Sequence, residues 1–366
     1  MTADPLSLKQ KVGQLFFIGI AGPEIDEPTR QFLDEVSPGG VCLFARNIKD
    51  SQQTRNLLDE LRELLPPTPL LSIDQEGGLV DRLRRVITPM PAASKIKDAN
   101  DAAQLAQIIA ETLRIHGFNM DFAPVVDVID VERTKYTNGL FSRTFGGSKE
   151  DVTVFAGEFL RVLQAGGVAG CLKHFPGLAA ALVDSHEELP SVDIPECELM
   201  TTDIYPYLEL LKTSEVRAIM VAHVSFPRHR LQETDRNGKL LPSSLSYNLV
   251  TKLLRDELQF DGLVITDDLE MGAIVKNYGI GDACKMAVAA GVDMLAICAD
   301  PDAVREGFHA VLKAVNDGEI DIDRVESSLT RIARVKNDLL HPLPFDTKRL
   351  EQISFEIAEL NQRLNS

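Results

Sequence analysis

Lys173 and His174 stand side by side where an apolar run, Val168-Ala169-Gly170-Cys171-Leu172, stops abruptly, and Asp184 and His186 follow on alternate positions in the next loop. A buried strand that ends in two adjacent basic side chains brings them out where something polar can meet them. A carboxylate two residues from an imidazole can fix its tautomer and let it give or take a proton near neutral pH. Asp267 closes another apolar run, Val264-Ile265-Thr266. A carboxylate at a strand tip together with a loop-borne proton donor is what cleavage of a glycosidic bond requires, one group on each face of the sugar. The same His174, Asp184 and His186 with His223 form a possible divalent-ion set, although a His-x-His pair at the first strand, which would favour a metal hydrolase, is replaced by Phe17-Ile18-Gly19. Taken alone, one histidine in a loop is better explained by local hydrogen bonding; what surrounds it here reverses that preference.

Eight apolar, β-branched-rich runs recur along the chain: Gln14–Gly19, Gly40–Ala45, Pro69–Asp74, Phe118–Pro124, Ala169–His174, Ala218–His223, Gly262–Asp267 and Val292–Ile297. Continuous apolar character suits strands buried on both faces of a parallel sheet. The intervals read as amphipathic helices. Leu57, Leu58, Leu61 and Leu65 make a stripe ended by Pro66-Pro67; Leu105, Ile109 and Leu113 repeat up to Gly117; Val152, Phe155, Phe159, Leu160 and Leu163 mark one face before Gly166-Gly167. Asp300-Pro301 reads as an N-cap and first-turn proline, and Asp323 with Glu326 as the capping pattern of a further helix. Strand followed by helix, eight times, predicts a single (β/α)8 TIM barrel over residues 1–340, with residues 341–366 as a helical tail packed outside it.

In such a barrel, chemistry sits at the carboxyl ends of the strands. The third run ends at Asp74, Asp121 and Asp127 bracket the end of the fourth, Lys173 and His174 close the fifth, His223 the sixth and Asp267-Asp268 the seventh. So regular a placement of ionisable groups predicts a functional site there. Asp268, Glu270 and Glu76 are expected to cap helices or brace turns.

The net charge of -17 over 366 residues argues against nucleic acid or an anionic membrane as partner. The five cysteines are scattered and never in a CxxC spacing, which predicts reduced thiols in a cytoplasmic protein. No glycine-rich phosphate loop is present, so no nucleotide cofactor is expected, and without the His-x-His pair at the first strand no metal is expected either. With no Trp and 6% aromatic residues, a polar pocket for one terminal sugar is expected rather than a long stacking cleft.

The segments Ile73-Asp74-Gln75-Glu76-Gly77-Gly78, Phe122-Ala123-Pro124-Val125-Val126-Asp127, Arg143-Thr144-Phe145-Gly146, Lys173-His174-Phe175-Pro176-Gly177, Asp184-Ser185-His186 and Thr266-Asp267-Asp268-Leu269-Glu270-Met271 together resemble glycoside hydrolase family 3, and within it the bacterial β-N-acetylglucosaminidases of peptidoglycan recycling. The resemblance runs in order from about Gly13 to Lys336. It implies a retaining exo-β-N-acetylglucosaminidase acting on small cell-wall glycan fragments, with Asp267 as nucleophile, His186 as acid/base and Asp184 as its partner. It also implies that Asp74, Arg82, Arg143, Lys173 and His174 hold the sugar. Two alternatives share these residues: a phosphorylase with phosphate as acceptor, and a sugar-binding barrel with little turnover. The chain departs from the family pattern at Leu178-Ala179-Ala180-Ala181, where His-Gly is common, and at Leu79, where Arg is common. Alanine lacks glycine's backbone freedom, which predicts a stiffer or differently shaped loop.

Overall fold

Each of the eight apolar runs forms a strand, shorter than the run in seven cases and one residue longer in the fifth, in a computed structural model that describes residues 6–135, 139–181 and 189–366. In chain order the strands are β1 (Phe16–Gly19), β2 (Gly40–Leu43), β3 (Leu70–Ile73), β4 (Gln75–Gly77), β5 (Val80–Asp81), β6 (Met120–Asp121), β7 (Ala169–Phe175), β8 (Ala218–Val221), β9 (Leu263–Thr266) and β10 (Leu295–Ile297). The pair β4 and β5 is a small antiparallel hairpin of its own, and the other eight lie in the parallel order β10-β1-β2-β3-β6-β7-β8-β9. The ring closes where Ile265 bridges Met294: Thr266 donates its N–H to the Met294 carbonyl and Met294 to that of Val264, both at 3.0 Å. The result is the expected (β/α)8 barrel.

Successive side chains of a strand point to opposite faces, and that alternation sorts the core into two parts. Phe17, Cys42, Met120, Cys171, Met220 and Ile265 gather in one apolar cluster inside the barrel. Their neighbours Phe16, Ile18, Val41, Leu172, Ile219 and Val264 join a second cluster with the helices outside. The helix Ser51–Leu64 turns Leu57, Leu58 and Leu61 inward and is capped by Asp50, whose carboxylate accepts the Gln53 N–H at 2.8 Å. Ala99–His116 ends on Gly117 in the left-handed region, and Asp300 caps Pro301–Asn316. One cap differs from expectation. The helix Ile322–Asn337 starts earlier than Asp323, and Asp321 is the N-cap, accepting the Asp323 N–H. An Asx side chain caps the turn that follows it, so the acidic residue nearest the last extended position wins.

The helix Thr347–Asn365 buries Leu350, Ile353, Ile357, Leu360 and Leu364, a three-and-four spacing that makes one continuous stripe. Full burial of each such side chain is worth about 1.5–3 kcal/mol. Arg349 grips Glu111 with two hydrogen bonds, at 2.6 and 2.7 Å, and Arg363 pairs with Asp101, both on the helix Ala99–His116.

Candidate active site

A cavity of about 490 Å3 opens at the carboxyl ends of the strands, walled in part by Asp74, Arg82, Arg143, Lys173, His174 and Asp267. Six of the eight residues singled out in the sequence are therefore brought together. The other two, Asp184 and His186, lie outside the described residues.

Lys173 sits in β7 with its ammonium enclosed, 2.7 Å from Asp74 Oδ1 and 2.6 Å from Glu76 Oε1. Asp74 follows β3 directly and Glu76 lies in β4, so the hairpin holds both carboxylates over the same lysine. Its turn needs glycine: Gly77 and Gly78 have φ of +87° and +59°, and a Cβ on Gly77 would lie 2.2 Å from the Pro91 carbonyl oxygen. Arg143 caps the far side of Glu76, with Nε and Nη2 each 2.8 Å from a carboxylate oxygen. Burial alone would raise the Glu76 carboxyl, but the charges of Lys173 and Arg143 outweigh it and hold it at about 2. Burial works equally against the charged form of Lys173, and Asp74 and Glu76 overcome it, so its pKa rises above the ordinary value. Arg82 reaches the other oxygen of Asp74 at 3.5 Å.

His174 is oriented by Asp127, whose Oδ2 lies 2.8 Å from Nδ1 and 3.1 Å from the His174 backbone nitrogen. Arg143 Nη2 is 3.3 Å from His174 Nε2. A guanidinium only donates, so Nε2 accepts and Nδ1–H donates to Asp127. The second oxygen of Asp127 accepts the Leu178 N–H at 2.6 Å. One buried carboxylate thus fixes the tip of β7 and the start of the loop beyond it. The Lys173–His174 peptide is cis.

Asp267 follows β9, its backbone N–H tied to the Val221 carbonyl at 2.9 Å and its Oδ1 accepting the Asp268 N–H at 2.9 Å. Burial pushes its carboxyl up, but the His174 and His223 rings, the Asp268 N–H and Lys173 pull harder, and the pKa falls below the usual value. Asp267 is therefore a carboxylate throughout the neutral range. Its neighbour behaves oppositely: burial, with the nearby Glu270 and Asp267 charges, lifts Asp268 to about 7 against the Glu270 and Cys298 N–H groups.

Asp268 and Glu270 serve the backbone, as expected. Asp268 Oδ1 accepts the Glu270 N–H at 3.0 Å, and Glu270 accepts the N–H groups of Ala299 and Asp300 at 2.5 and 2.9 Å. His223 stands behind them, with Nε2 donating to the Asp268 carbonyl at 3.0 Å and Nδ1 2.7 Å from Ser244 Oγ. At the tip of β2, Arg46 and Asn47 are spent on the backbone carbonyls of Ile20, Gly22 and Cys298. No three His, Cys, Asp or Glu side chains converge as a metal site among the described residues. An ionised carboxylate on the floor of a cavity, with fixed cations and carboxylates along its wall, suits a neutral, hydroxyl-rich ligand in need of many directed hydrogen bonds.

The "Glycosyl hydrolase family 3 N terminal domain" matches residues 7–335. The chain belongs to this family. A "Beta-hexosaminidase" of Pseudomonas aeruginosa is 36% identical to this hydrolase over 290 residues, 77% of the chain and 82% of the relative. A "Beta-hexosaminidase" of Vibrio cholerae is 32% identical over 294 residues, 79% of the chain and 84% of the relative. Among solved structures, a glycoside hydrolase family 3 beta-N-acetylglucosaminidase from Paenibacillus sp. str. FPU-7 superposes with a TM-score of 0.87 at 34% identity, covering 97% of this chain and 69% of that one.

Two groups of this family-3 hydrolase matter more than their sequence context suggests. Glu76 was expected to brace a turn, yet it is the shared counter-charge of Lys173 and Arg143. Its spacing of two from Asp74 held the clue, because alternate residues of an extended segment share a face. Asp127, noted only as bracketing a strand end, is the anchor of His174. The departures also sit at the cavity: Leu79 is 68% exposed at the hairpin tip and Leu178 is buried in the wall.

Proposed function

We propose that this glycoside hydrolase is a retaining exo-β-N-acetylglucosaminidase that releases a terminal N-acetylglucosamine from peptidoglycan fragments. The observation that carries the reading is Asp267, a carboxylate kept ionised by surrounding positive charge on the floor of a polar cavity. The names of the relatives supply the 2-acetamido sugar, since they are hexosaminidases and a β-N-acetylglucosaminidase.

In this reading an Asp267 oxygen attacks the anomeric carbon as the bond from that carbon to the leaving oxygen breaks. Protonated His186, partnered by Asp184, gives its proton to the leaving oxygen. Neutral His186 then takes a proton from water, whose oxygen displaces Asp267 and restores both groups. Asp74, Arg82, Arg143, Lys173 and His174 hold the hydroxyls and the acetamido group. The assignment of Asp184 and His186 rests on the motif that follows Lys173-His174-Phe175-Pro176-Gly177. No metal takes part. We place the enzyme in the cytoplasm, on its scattered, unpaired cysteines; no described helix is long and apolar enough to cross a membrane.

The test is release of phenol from an aryl N-acetyl-β-glucosaminide, with an activated fluorosugar used to trap the covalent intermediate. Mass added on the peptide that contains Asp267, and loss of release in Asp267→Ala and His186→Ala, are the expected results. Undiminished release in either variant rejects its assigned role.

A further inference from the structure

Asp74 and Arg82 stand at the two feet of the β4–β5 hairpin and both line the cavity, yet little between them fixes their spacing. Arg82 Nη2 is 3.5 Å from Asp74 Oδ2, and both side chains are partly exposed. That is long for a charge-assisted hydrogen bond. Arg82 Nε has no hydrogen-bond partner among the described residues. A contact so loose does not set the distance between two groups that must meet one sugar ring.

What sets it lies behind them. Gln75 and Asp81 are register partners across the hairpin, each one step along the chain from Asp74 or Arg82, and successive side chains of extended backbone face opposite ways. Gln75 is fully buried and Asp81 nearly so. Gln75 Nε2 donates to Asp81 Oδ1 at 2.7 Å, and Gln75 Oε1 accepts the Leu83 N–H at 3.2 Å. The other Asp81 oxygen accepts the Met90 N–H at 2.8 Å. The Gln75 N–H donates to Asp121 Oδ1 at 2.9 Å. One buried side chain thus grips the residues on both sides of Arg82, while its own backbone, next to Asp74, is pinned to β6.

We propose that Gln75 is a positioning residue for sugar binding, fixing Arg82 against Asp74 through its bonds to Asp81 and Leu83. The inference rests on the glycosidase reading for the roles of Asp74 and Arg82, and adds a role for a residue that touches no sugar. The choice of side chain follows from the partners. Asp81 needs a donor and the Leu83 N–H an acceptor, and an amide supplies both without charge. Glutamate has the same shape but would set two buried carboxylates against each other, and one must take up a proton or turn away. An apolar side chain would strand both partners. Neutrality also suits the surroundings, where Lys173 and Arg143 already balance Asp74 and Glu76. Asp121 conforms: burial raises its carboxyl well above the ordinary value, so it receives the Gln75 N–H as a neutral acid.

The experiment measures N-acetylglucosamine binding by calorimetry, and hydrolysis of the aryl substrate, on the full chain well below the Tm of each variant. Gln75→Glu is expected to weaken sugar binding about tenfold or more, the size of one hydrogen bond to a charged group, and to raise KM by a larger factor than it lowers kcat. Asp81→Asn turns one donor on another, because the Met90 N–H keeps its claim on the side chain, and is expected to act likewise. Together the two substitutions reverse the direction of a single hydrogen bond and keep acceptors for Leu83 and Met90. The double variant is therefore expected to recover most of the lost affinity. A merely structural residue would lower the Tm and leave the affinity of the folded protein unmoved; that result for Gln75→Glu, or a double variant no tighter than the single ones, would overturn the proposal. Should Gln75→Glu not fold, Asp81→Asn and the double variant carry the same comparison. If the parent binds N-acetylglucosamine but releases no phenol, the glycosidase reading fails while the affinities still test Gln75; a parent that does not bind the sugar overturns both.

Discussion

Glu76 and Arg143 meet fork to fork through two parallel hydrogen bonds of 2.8 Å, and Lys173 lies 2.6 Å from the same carboxylate. The carboxylate is 3% exposed, so three charges share a site that water hardly reaches. Adding Asp74 leaves two cations facing two anions. Such a balance is stable only while it is complete, because removing one partner strands the others.

Glu76→Gln is therefore expected to cost about 3–5 kcal/mol of stability, read from urea unfolding at pH 7. The wild-type contribution has a defined acid limit. With Glu76 held at about 2 in the folded protein and near 4.3 when unfolded, it is fully present above the unfolded value and lost as pH falls from about 4 toward 2. The variant's stability curve is expected to lose that acid slope.

Asp267→Ala is expected to lower kcat on the aryl substrate by a factor on the order of 10³ or more, with unchanged circular dichroism. Since its carboxyl is depressed, the acid limb of kcat/KM is expected below the ordinary carboxylate range, under about pH 4. An acid limb at pH 5 or higher would contradict the assignment.

Asp268 titrates in the opposite sense. Raised to about 7 in the fold against about 3.9 unfolded, it costs nothing below the unfolded value, destabilises increasingly as pH climbs from about 4 to 7, and costs a constant amount above that. Asp268→Asn keeps an oxygen for the Glu270 N–H and removes the charge. Its Tm relative to wild type is expected to be higher at pH 8 than at pH 5, by calorimetry.

Asp127→Ala removes the acceptor for the His174 ring and for the Leu178 N–H. The expected effect is a rise in KM of about tenfold or more with a smaller change in kcat, because sugar-holding groups are loosened while Asp267 stays in place. A purely structural role would lower the Tm and leave KM unmoved.

Adding phosphate tests the acceptor. Free N-acetylglucosamine is expected as the product at any phosphate concentration; appearance of the sugar 1-phosphate would select the phosphorylase alternative.

The barrel was legible because strands buried on both faces must be continuously apolar, and each run announces itself against polar helices. Strand tips follow from the same rule, which is how the sequence alone picks out Asp74, Lys173, His174 and Asp267. Glu76 escaped because charge pairing is a property of three dimensions: Arg143 and Lys173 are distant from it in sequence and come near only when β3 and β7 are in place. The cap of Ile322–Asn337 shifted to Asp321 because several aspartates compete there and only backbone conformation chooses among them.

Closure of the ring at β9 and β10 carries a consequence for the order in which the protein becomes competent. Thr266, the residue before Asp267, is held by Met294 through its backbone and by Ala296 through its hydroxyl. In a chain that ends short of those residues β9 is paired with β8 alone, so Asp267 keeps its ties to Val221 and Asp268 but loses the support behind it on the open side. Competence is thus expected to arrive with the last strand, when the residue under the carboxylate is gripped from both sides.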